Sequence, residues 1–490
     1  MNLHSLFCPR SIAIVGATDT LFKWGAFIMS NILDGGFTGP VYPVSVSKSY
    51  VFGRDTYRSV KEIGKEVDLV FITTPASTVM DVLRDCNDAG VKNVVMVTSG
   101  FSETGEEGTE LEKEVEKYAH EKGIRIVGPN TMGIVNTHCM LYATGSIVRP
   151  VQGGISIIAQ SGNLGNQIME WAEQEKIGIA KFVGSGNEGV LKVEDYLEYF
   201  MDDEDTRVVL LYIEGIDDGK RFMDVASRVT RKKPVIALKA GRTESGSKAA
   251  QSHTGAMAGS FKIFESVMKQ TGIITAQTPS ELLTLSAAFD SFPVPADNRV
   301  GIITLGGGWG VVTADECEER HLAIPPLPDD VKEKLDKRLP PFWSRGNPVD
   351  LVGQPDILLF EESIEYMAAS DAYDAVITLG MVGSRNFALR AAEAAMNLGN
   401  LSKKEYQEFK KNLDKHQDDF LDKMILVTEK YGKPVLPVSL AKKEDDETVH
   451  ILKGSRHKLI IYGSPEEAVL CLQKMYQYSR YLAKRRENNA

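Results

Sequence analysis

Short apolar, β-branched runs alternate with segments of helical periodicity along the chain, and no other feature of the sequence constrains the fold as strongly. Such runs are typical of strands in parallel sheets, where helices cover both faces and neither face meets water. The alternation therefore predicts an α/β fold of parallel sheets covered by helices. The predicted strands lie in SIAIVG, VDLVFITT, NVVMVTSG, GGISIIAQSG, RVVLLYIEG, PVIALKAG, RVGIITLGGG, YDAVITLG, PVLPVSL and KLIIYG.

Breaks in composition divide the chain, whose 490 residues are too many for one hydrophobic core. At about 150 residues per domain, this length indicates about three domains. The breaks lie in SIVRPVQGG and FDSFPVPADN. We predict three domains and a charged C-terminal tail, with the bounds 1–148, 149–294, 295–478 and 479–490.

Two segments of the third predicted domain are longer than an ordinary turn. The Pro-rich segment 324–350 has a charged helical middle and is predicted to be a long crossover. The charged segment 401–424 is predicted to be an amphipathic helix with a solvated face. A weak repetition, strand then glycine turn then helix, relates 153–178 to 298–323 and predicts two domains of similar plan.

The overall charge argues against nucleic acid as the main partner, because the formal net charge is −11. A local basic patch could still bind a small phosphorylated molecule. The sequence shows no apolar leader and no run of about 18 apolar residues, so we predict a cytoplasmic protein without a membrane partner. The scattered, unpaired spacing of the five cysteines favours a reducing compartment over a disulfide framework: Cys8, Cys86, Cys139, Cys317 and Cys471.

Ligands of open α/β sheets bind at the carboxyl ends of the strands, so the turns that follow strands are the candidate sites. The turn after SIAIVG starts at Gly16 and lacks the G-x-G-x-x-G fingerprint, since the next glycine is Gly25. Lys23 in this turn and Lys48 after the next strand are placed to meet a phosphorylated nucleotide. A purely structural turn is the alternative.

The turn after ISIIA carries a second candidate site. The predicted strand ends at Gln160, and Ser161, Gly162 and Asn163 lead into an amphipathic helix. Backbone N–H groups at a helix start are free to bind an anion, so this turn is predicted to bind phosphate. An ordinary helix cap by Ser161 is the alternative.

His253 lies in SKAAQSHTGAMAGS, where the neighbouring residues are too small to pack around an imidazole. A metal site is disfavoured, because neither a second histidine nor a cysteine lies at zinc-ligand spacing. Glu214 ends an apolar strand, where a carboxylate could orient an imidazole or cap a helix. Together with the phosphate turn they predict a phosphorylated histidine, a solvated loop histidine being the alternative for His253.

Common catalytic signatures are missing from the sequence. We find no G-x-x-x-x-G-K-[ST], H-E-x-x-H, C-x-x-C or G-x-S-x-G. The chain therefore has a candidate phosphohistidine site without an obvious ATP site of its own.

Taken together, these motifs resemble those of the NDP-forming acyl-CoA synthetases, relatives of the succinyl-CoA synthetase α subunit. The motifs are GATDTLFKWG, GPNTMG, AQSGNLG, YIEGIDDG, KAGRTESGSKAAQSHTGAMAG, TLGGGWGVVTADECEE and RGNPVDLVG, in this order. The resemblance is to the α subunit of the ADP-forming acetate-CoA ligase type. It implies a Rossmann-like CoA-binding domain followed by two flavodoxin-like domains.

The resemblance also implies roles for individual residues. His253 matches the phosphorylated histidine and Glu214 the glutamate that orients it. The phosphate-binding turn is Gln160, Ser161, Gly162 and Asn163, and no residue of this chain is expected to bind a metal. The residues expected to hold CoA are Gly16, Thr18, Asp19, Lys23, Lys48, Thr98, Ser99 and Asn130. The positions that differ from the family pattern are Asp19, Phe22, Trp24, Thr131 and Trp309.

The implied reaction is the reversible conversion of acyl-CoA, phosphate and ADP to a carboxylic acid, CoA and ATP, through an acyl phosphate and a phosphohistidine. A separate ATP-grasp β subunit, in an α2β2 heterotetramer, would supply the ADP/ATP site and Mg²⁺. Small residues around His253 would let its loop move between two sites. The alternatives are a non-catalytic CoA-binding or regulatory protein, which would need CoA contacts only, and the CoA-binding part of a protein acetyltransferase system.

Overall fold

The structure is a computed structural model that describes residues 3–246, 248, 261–354, 356–440 and 447–487. The chain forms two compact units, Met1–Ser286 and Ala287–Ala490, called the first and second unit below. The bounds of the three predicted domains stay a prediction.

Parallel sheets form the centre of each unit, which confirms the predicted α/β fold. The strands, numbered in chain order, are β1 (Ile12–Val15), β2 (Val41–Val44), β3 (Tyr50–Val51), β4 (Arg54–Asp55), β5 (Leu69–Ile72), β6 (Asn93–Met96), β7 (Arg125–Val127), β8 (Gly133–Asn136), β9 (Leu141–Thr144), β10 (Gln152–Ala159), β11 (Ile179–Gly184), β12 (Val208–Ile213), β13 (Val235–Lys239), β14 (Ile274–Thr275), β15 (Val300–Thr304), β16 (Val349–Asp350), β17 (Ala375–Leu379), β18 (Val435–Val438), β19 (Val449–Ile451) and β20 (Lys458–Ile460).

Helices follow most of these strands. Their bounds are His4–Phe7, Trp24–Asp34, Val79–Asp88, Glu106–Lys122, Gly162–Gln174, Val193–Asp202, Gly219–Val229, Phe261–Thr271, Pro279–Ser291, Gly307–Glu319, Asp329–Leu335, Ile357–Ala369, Ser384–Asn397, Lys403–Tyr431 and Pro465–Glu487. No described helix combines the length and the apolar character that crossing a membrane requires.

The first unit contains two large sheets and the two-stranded antiparallel sheet of β3 and β4. The first is parallel throughout, with the order β2-β1-β5-β6-β7. The second has the order β14-β13-β12-β10-β11-β8-β9, and its strands β10 to β14 run parallel. In the second unit, a parallel sheet has the order β16-β15-β17-β18. Among the parallel strands, each of these three sheets reverses its order once, at β1, β10 or β15.

The apolar runs form the cores because both faces of each central strand are covered. All four side chains of β5 are fully buried. Burying one such side chain stabilises the fold by roughly 1.5–3 kcal/mol. The helix Phe261–Thr271 buries Phe264 and Met268 in a hydrophobic core, and Gly272 follows it with a φ of 77°.

The strands β8 and β9 depart from the all-parallel pattern. A tight turn at Thr137–Cys139 joins them into a hairpin, and β8 pairs antiparallel with β11. The strands β8 and β9, which precede the composition break at 146–154, thus form one edge of the second sheet. The alternation of strands and helices predicts parallel strands, so it could not indicate this hairpin. A short turn allows only antiparallel pairing.

The cysteines depart from the sequence expectation at one pair. Cys8 and Cys139 form a disulfide across a sequence separation of 131 residues, whereas Cys86, Cys317 and Cys471 are buried free thiols. The spacing favoured a reducing compartment over a disulfide framework, and this disulfide departs from that expectation. The spacing could not reveal the pair, because the fold brings the end of the first helix to the turn between β8 and β9.

The charged segment of the second unit is a long helix, Lys403–Tyr431, as predicted. A capping box formed by Ser402 and Glu405 starts the helix, and Gly432 in a left-handed conformation ends it. Its first half is largely exposed, which fits the predicted solvated face. From Phe420 onward, one stripe of the helix is buried.

Candidate active site

The reversal of strand order at β10 creates a crevice at the carboxyl edge of the second sheet. β10 has β11 on one side and β12 on the other, and chain leaving these strands diverges to opposite sides. Such a point is where open α/β sheets bind ligands. Gln160 directly follows β10 and Glu214 directly follows β12, so two of the predicted site residues lie here side by side.

The side chain of Gln160 fixes the backbone that carries Glu214. Its Oε1 accepts hydrogen bonds from the backbone N–H of Glu214 and, at 3.0 Å, from that of Gly215. Its Nε2 donates to the carbonyl oxygen of Gly215 at 2.9 Å. The amide thus pairs with three backbone groups of the neighbouring strand end and holds Glu214 in register with the phosphate turn.

The phosphate turn leads from β10 into a helix, as expected, while its binding of phosphate stays a prediction. Ser161 takes the N-cap position of the helix Gly162–Gln174, but its side chain makes no capping hydrogen bond. The alternative of an ordinary side-chain cap is therefore not realised. The first N–H groups of this helix lack partners within the helix, and together with the helix dipole they favour an anion.

Gly162 lies where another backbone segment comes close. A Cβ atom at this position would meet Met132 Cγ at 2.0 Å and Met132 Cβ at 2.9 Å. Met132 belongs to GPNTMG, which links the first sheet to β8. Asn163, the next residue of the turn, is exposed. Glycine is therefore needed at this helix start to admit the neighbouring segment.

Lys239 is a site residue that the sequence analysis missed. It ends β13, is 8% exposed, and donates from Nζ to the carbonyl oxygens of Glu214 and, at 2.8 Å, of Ala240. Burial lowers the pKa of its ammonium group, while the charge of Glu214 acts in the opposite direction. The sequence signal that could have revealed Lys239 is a lysine at the end of an apolar strand, next to the strand that ends in Glu214.

The turn after β11 adds a carboxyl group that the sequence analysis also missed. Glu188 accepts a hydrogen bond from Ser185 Oγ at 2.7 Å and one from the N–H of Val193 at 3.3 Å. Burial raises the pKa of Glu188 to about 7. The strand GIAKFVG, which leads into this turn, was not among the predicted strands, so nothing drew attention to the glutamate.

His253 lies outside the described residues. The described chain leads towards it from β13 and continues after it at Phe261, where the next helix begins. The predicted role of His253 in phosphoryl transfer stays a prediction.

The turn after β1 holds the first group of predicted CoA residues. Gly16 has a φ of 91°, and a Cβ atom there would meet Thr73 Oγ1 at 2.5 Å. Gly25, in the first turn of the following helix, lies so close that a Cβ atom would come within 2.1 Å of the Gly16 carbonyl oxygen. The two glycines therefore provide the close approach of strand and helix without a G-x-G-x-x-G motif.

Polar side chains surround this turn. Lys48 Nζ pairs with Asp19 and contacts Thr20 Oγ1 at 3.2 Å. The hydrogen bond from Lys48 lowers the pKa of Asp19. Thr18 Oγ1 donates to Thr20 Oγ1 at 3.1 Å, while Lys23 is exposed at the N-cap of the helix Trp24–Asp34. Lys48 and Asp19 thus come together at the surface, where their ion pair contributes little to stability.

The remaining predicted CoA residues lie at the ends of β6 and β7. Thr98 Oγ1 donates to the Thr74 carbonyl oxygen at 2.7 Å, and the N–H of Asn130 donates to the Thr98 carbonyl oxygen at 2.9 Å. Ser99 and Asn130 are exposed. Thr73 and Thr74 follow β5. Both lie next to Gly16, and Thr74 also accepts the hydrogen bond from Thr98. The sequence analysis overlooked these two hydroxyl groups at a strand end.

Several hydrogen bonds tie this edge to the second sheet. Asn187 Nδ2 lies within hydrogen-bond distance of Ser102 Oγ (3.1 Å), Glu103 Oε2 (2.6 Å) and Glu112 Oε2 (3.0 Å). Its N–H donates to the Pro129 carbonyl oxygen at 3.0 Å. The turn after β11 is thereby fastened to the turn after β6.

Thr131, which replaces a common cysteine of the resembling family, has a structural role. It is buried, and its hydroxyl donates to the Gly184 carbonyl oxygen and accepts from the N–H of Gly133 at 3.0 Å. The bulky residues of the first loop behave differently. Phe22 is 86% exposed with a φ of 65°, and Trp24 packs against Gly145.

Comparison with known proteins assigns a family to this arrangement. Family models match three parts of the chain: a CoA binding domain over residues 10–137, a succinyl-CoA ligase like flavodoxin domain over 152–289, and a ligase-CoA domain over 300–389. The chain is 36% identical over 491 residues to the α subunit of acetate-CoA ligase (ADP-forming) I of Pyrococcus furiosus, covering 99% of this chain and 100% of that one. The chain belongs to the α-subunit family of the NDP-forming acyl-CoA synthetases.

Two further similarities support the assignment to this synthetase family. The α subunit of acetate-CoA ligase (ADP-forming) II of Pyrococcus furiosus is 47% identical over 350 residues, which are 71% of this chain and 76% of that subunit. A structure of the dinucleotide-forming acetyl-coenzyme A synthetase 1 of Ca. Korarchaeum cryptofilum, in complex with phosphate and ADP, superimposes with a TM-score of 0.81 at 32% identity. That match covers 100% of this chain and 99% of the other. The predicted resemblance and the predicted fold are therefore confirmed.

Proposed function

We propose that this chain is the α subunit of an ADP-forming acyl-CoA synthetase that works with a separate ATP-grasp β subunit. The observation that carries the proposal is the meeting of Gln160, Ser161 and Glu214 at the carboxyl edge of the second sheet, in a chain of this family. The relatives named as α subunits support the existence of a partner. We propose that the assembly is an α2β2 heterotetramer in the cytoplasm.

The proposed substrate sites follow the sheet edges. Phosphate would bind at the N–H groups around Ser161, Gly162 and Asn163, with Gln160 holding Glu214 beside them. CoA would bind at the carboxyl edge of the first sheet. The residues that we propose to hold it are Gly16, Thr18, Asp19, Lys23, Lys48, Thr98, Ser99 and Asn130.

The reaction would proceed in three transfers. In the first, a phosphate oxygen attacks the thioester carbon, the C–S bond breaks, and CoA leaves as a thiolate that takes up a proton. In the second, a neutral ring nitrogen of His253 attacks phosphorus of the acyl phosphate, and the bond to the acyl oxygen breaks to release the carboxylate. In the third, a terminal oxygen of ADP attacks the phosphohistidine, which restores the imidazole and gives ATP.

Glu214 would orient the imidazole by accepting a hydrogen bond from its other ring nitrogen, which keeps the attacking nitrogen free of a proton. Its backbone is fixed on one side by Gln160 and on the other by Lys239. Because the carboxylate need not be repositioned when charge develops on the ring, this arrangement lowers the cost of forming the phosphohistidine.

Magnesium fits the proposed partner better than this chain. Among the described residues, no three His, Cys, Asp or Glu side chains are grouped in a way that could hold a metal ion. When bound with the nucleotide, Mg²⁺ would neutralise phosphate charge during transfer to ADP. We propose that the β subunit binds it together with the nucleotide, as the resemblance to the family implies.

The first test is the intact mass of this chain after incubation with Mg-ATP and its candidate β subunit. The wild type should gain one acid-labile phosphoryl group, because the third transfer is reversible. A His253→Asn variant keeps a polar side chain that cannot be phosphorylated in this way, and it should gain none.

Binding of CoA to both proteins serves as the control for folding. If neither protein gains mass with a partner shown to be the right one, while both bind CoA, the proposed function is wrong. The non-catalytic CoA-binding alternative would then be favoured.

A further inference from the structure

The N-terminal helix His4–Phe7 contacts residues of both large sheets of the first unit. Asn93, the first residue of β6 in the first sheet, donates from Nδ2 to Ser5 Oγ at 3.0 Å. The ring of Phe7 stacks on that of Tyr199, in the helix between β11 and β12, with 5.2 Å between the ring centroids and 9° between the ring planes. The helix therefore bridges the first sheet and the second.

The disulfide of Cys8 and Cys139 fastens this bridge to the hairpin of β8 and β9. Cys8 directly follows the N-terminal helix, and Cys139 ends the tight turn between the two strands. Both cysteines are partly exposed, whereas the free cysteines are buried. Because thiol–disulfide exchange requires access to a sulfur, the disulfide is the cysteine site that a dithiol in solution reaches most readily.

One buried amide holds the two cysteines next to each other without the S–S bond. Asn136 ends β8 and is 1% exposed. Its Nδ2 donates to the carbonyl oxygen of Phe7 at 3.1 Å and to Cys139 Sγ at 3.4 Å. It thus binds the residue before one cysteine and the sulfur of the other. The two thiols should therefore stay close enough after reduction to form the bond again.

We propose that Cys8 and Cys139 form a reversible redox cross-link, which stabilises the first unit when it is oxidised and opens without loss of the fold when it is reduced. The reductant is a dithiol. This inference goes beyond the proposed function and does not depend on it.

The exchange has a defined direction. A thiolate of the dithiol attacks Cys8 Sγ, the bond to Cys139 Sγ breaks, and Cys139 leaves as a thiolate that takes up a proton. The hydrogen bond from Asn136 stabilises this thiolate and makes Cys139 the better leaving group. The second thiol of the reductant then displaces Cys8 as a thiol and closes its own disulfide, so two electrons and two protons pass to the protein.

The length of the chain that the disulfide closes sets the size of the effect. The two cysteines are separated by 131 residues. A cross-link over a long segment stabilises a fold chiefly by restricting the unfolded chain. We expect the oxidised protein to melt roughly 5–10 °C above the reduced protein.

The cross-link lies at the edge of the second sheet that is opposite the candidate active site. Thr137, in the same turn as Cys139, donates from Oγ1 to the carbonyl oxygen of Ile179 at 2.8 Å, where β11 begins. Gln160 and Glu214 instead follow the carboxyl ends of β10 and β12. Reduction should therefore change stability while the rate of phosphorylation stays close to that of the oxidised protein.

The first measurement counts thiols in the wild-type chain. The protein is treated with glutathione disulfide or with dithiothreitol, denatured, alkylated with iodoacetamide and weighed intact. The oxidised chain should carry three labels, because Cys86, Cys317 and Cys471 are free, and the reduced chain should carry five. Five labels after oxidation would mean that the disulfide does not form, which overturns the inference.

Thermal unfolding of both redox states measures the stabilisation. A double variant, Cys8→Ser with Cys139→Ser, should melt like the reduced wild type and should not respond to dithiothreitol. Cys86→Ala is the matched control, since Cys86 is a buried free thiol, and it should keep the full response. Equal melting temperatures of the oxidised and reduced wild type contradict the inference, and this comparison stands even when a variant fails to fold.

Re-oxidation tests reversibility. After removal of dithiothreitol, glutathione disulfide should restore the three-label pattern and the melting temperature at a rate that is independent of protein concentration. Disulfide-linked dimers or a lasting mixed disulfide with glutathione would count against a reversible cross-link, and so would a phosphorylation rate that falls on reduction. A chain that shows both redox responses but is never phosphorylated by Mg-ATP and the β subunit counts against the proposed function alone.

Discussion

Gly162 shows at the scale of a single residue why the phosphate turn has its sequence. A Cβ atom there would meet Met132 at 2.0 Å, so we expect Gly162→Ala to displace the helix start. The change should lower the free energy of unfolding by about 1–3 kcal/mol and weaken phosphoryl transfer. Denaturant unfolding and the rate of phosphorylation by Mg-ATP and the partner measure the two effects.

Gly219 offers the matched control, because it also starts a helix and a Cβ atom there would meet nothing within 4 Å. Gly219→Ala should leave stability and phosphorylation close to the wild type. Equal losses in both variants would show that the contact with Met132 is unimportant.

Lys239 supports Glu214 from the other side. Lys239→Met keeps the length of the side chain but leaves two carbonyl oxygens without their donor, which should cost about 1–3 kcal/mol. Phosphorylation of the chain should slow while the KM for CoA is kept. Urea unfolding and single-turnover phosphorylation separate these effects.

The control for Lys239 is Lys233, which donates to the carbonyl oxygens of Phe200 and Asp203 just before β13 begins. Lys233→Met should lose comparable stability and keep its phosphorylation rate. A fall in rate equal to that of Lys239→Met would mean that stability alone controls the rate.

At the scale of elements, the turns after β6 and β11 act together through Asn187. Asn187→Ala removes the amide that faces Ser102, Glu103 and Glu112. Because these residues follow the proposed CoA residues Thr98 and Ser99, the KM for CoA should rise several-fold, with a smaller change in kcat. Steady-state kinetics with varied CoA measures the two constants.

Asn347 in the second unit is the control, since its amide similarly joins the carbonyl oxygens of Val300 and Pro325. Asn347→Ala should reduce stability without raising the KM for CoA. If Asn187→Ala leaves that KM unchanged, the turn after β6 is not part of the CoA site.

Predictability from sequence also differs between elements. The central strands were predictable because each apolar run spans a whole strand. The helix start after β10 was predictable because it follows the strand directly, while its binding of phosphate stays a prediction. The side-chain contacts between turns were not predictable, since those of Gln160 with Glu214 and of Asn187 with Glu103 arise only when distant strands pair.

At the scale of the whole molecule, one arrangement is used three times. β1, β10 and β15 each lie where strand order reverses, and the first two carry the proposed CoA and phosphate sites. The predicted similarity between 153–178 and 298–323 corresponds to β10 and β15 with the helices that follow them. The sequence could predict this plan because the strand, turn and helix of each copy are contiguous in the chain. The disulfide of Cys8 and Cys139 and the pairing of β8 with β11 instead depend on residues far apart in the sequence.

The hairpin of β8 and β9 bears on how such proteins can be recombined. Its strand β8 pairs with β11, while GPNTMG, at the start of β8, places Met132 on Gly162 and Asn130 beside Asn187. A chimaera joined at the composition break 146–154 would carry the hairpin of one parent into the sheet of the other. We therefore expect the two large sheets of the first unit to be exchangeable only as one module, because the segment before the break supplies the edge strands β8 and β9 of the second sheet.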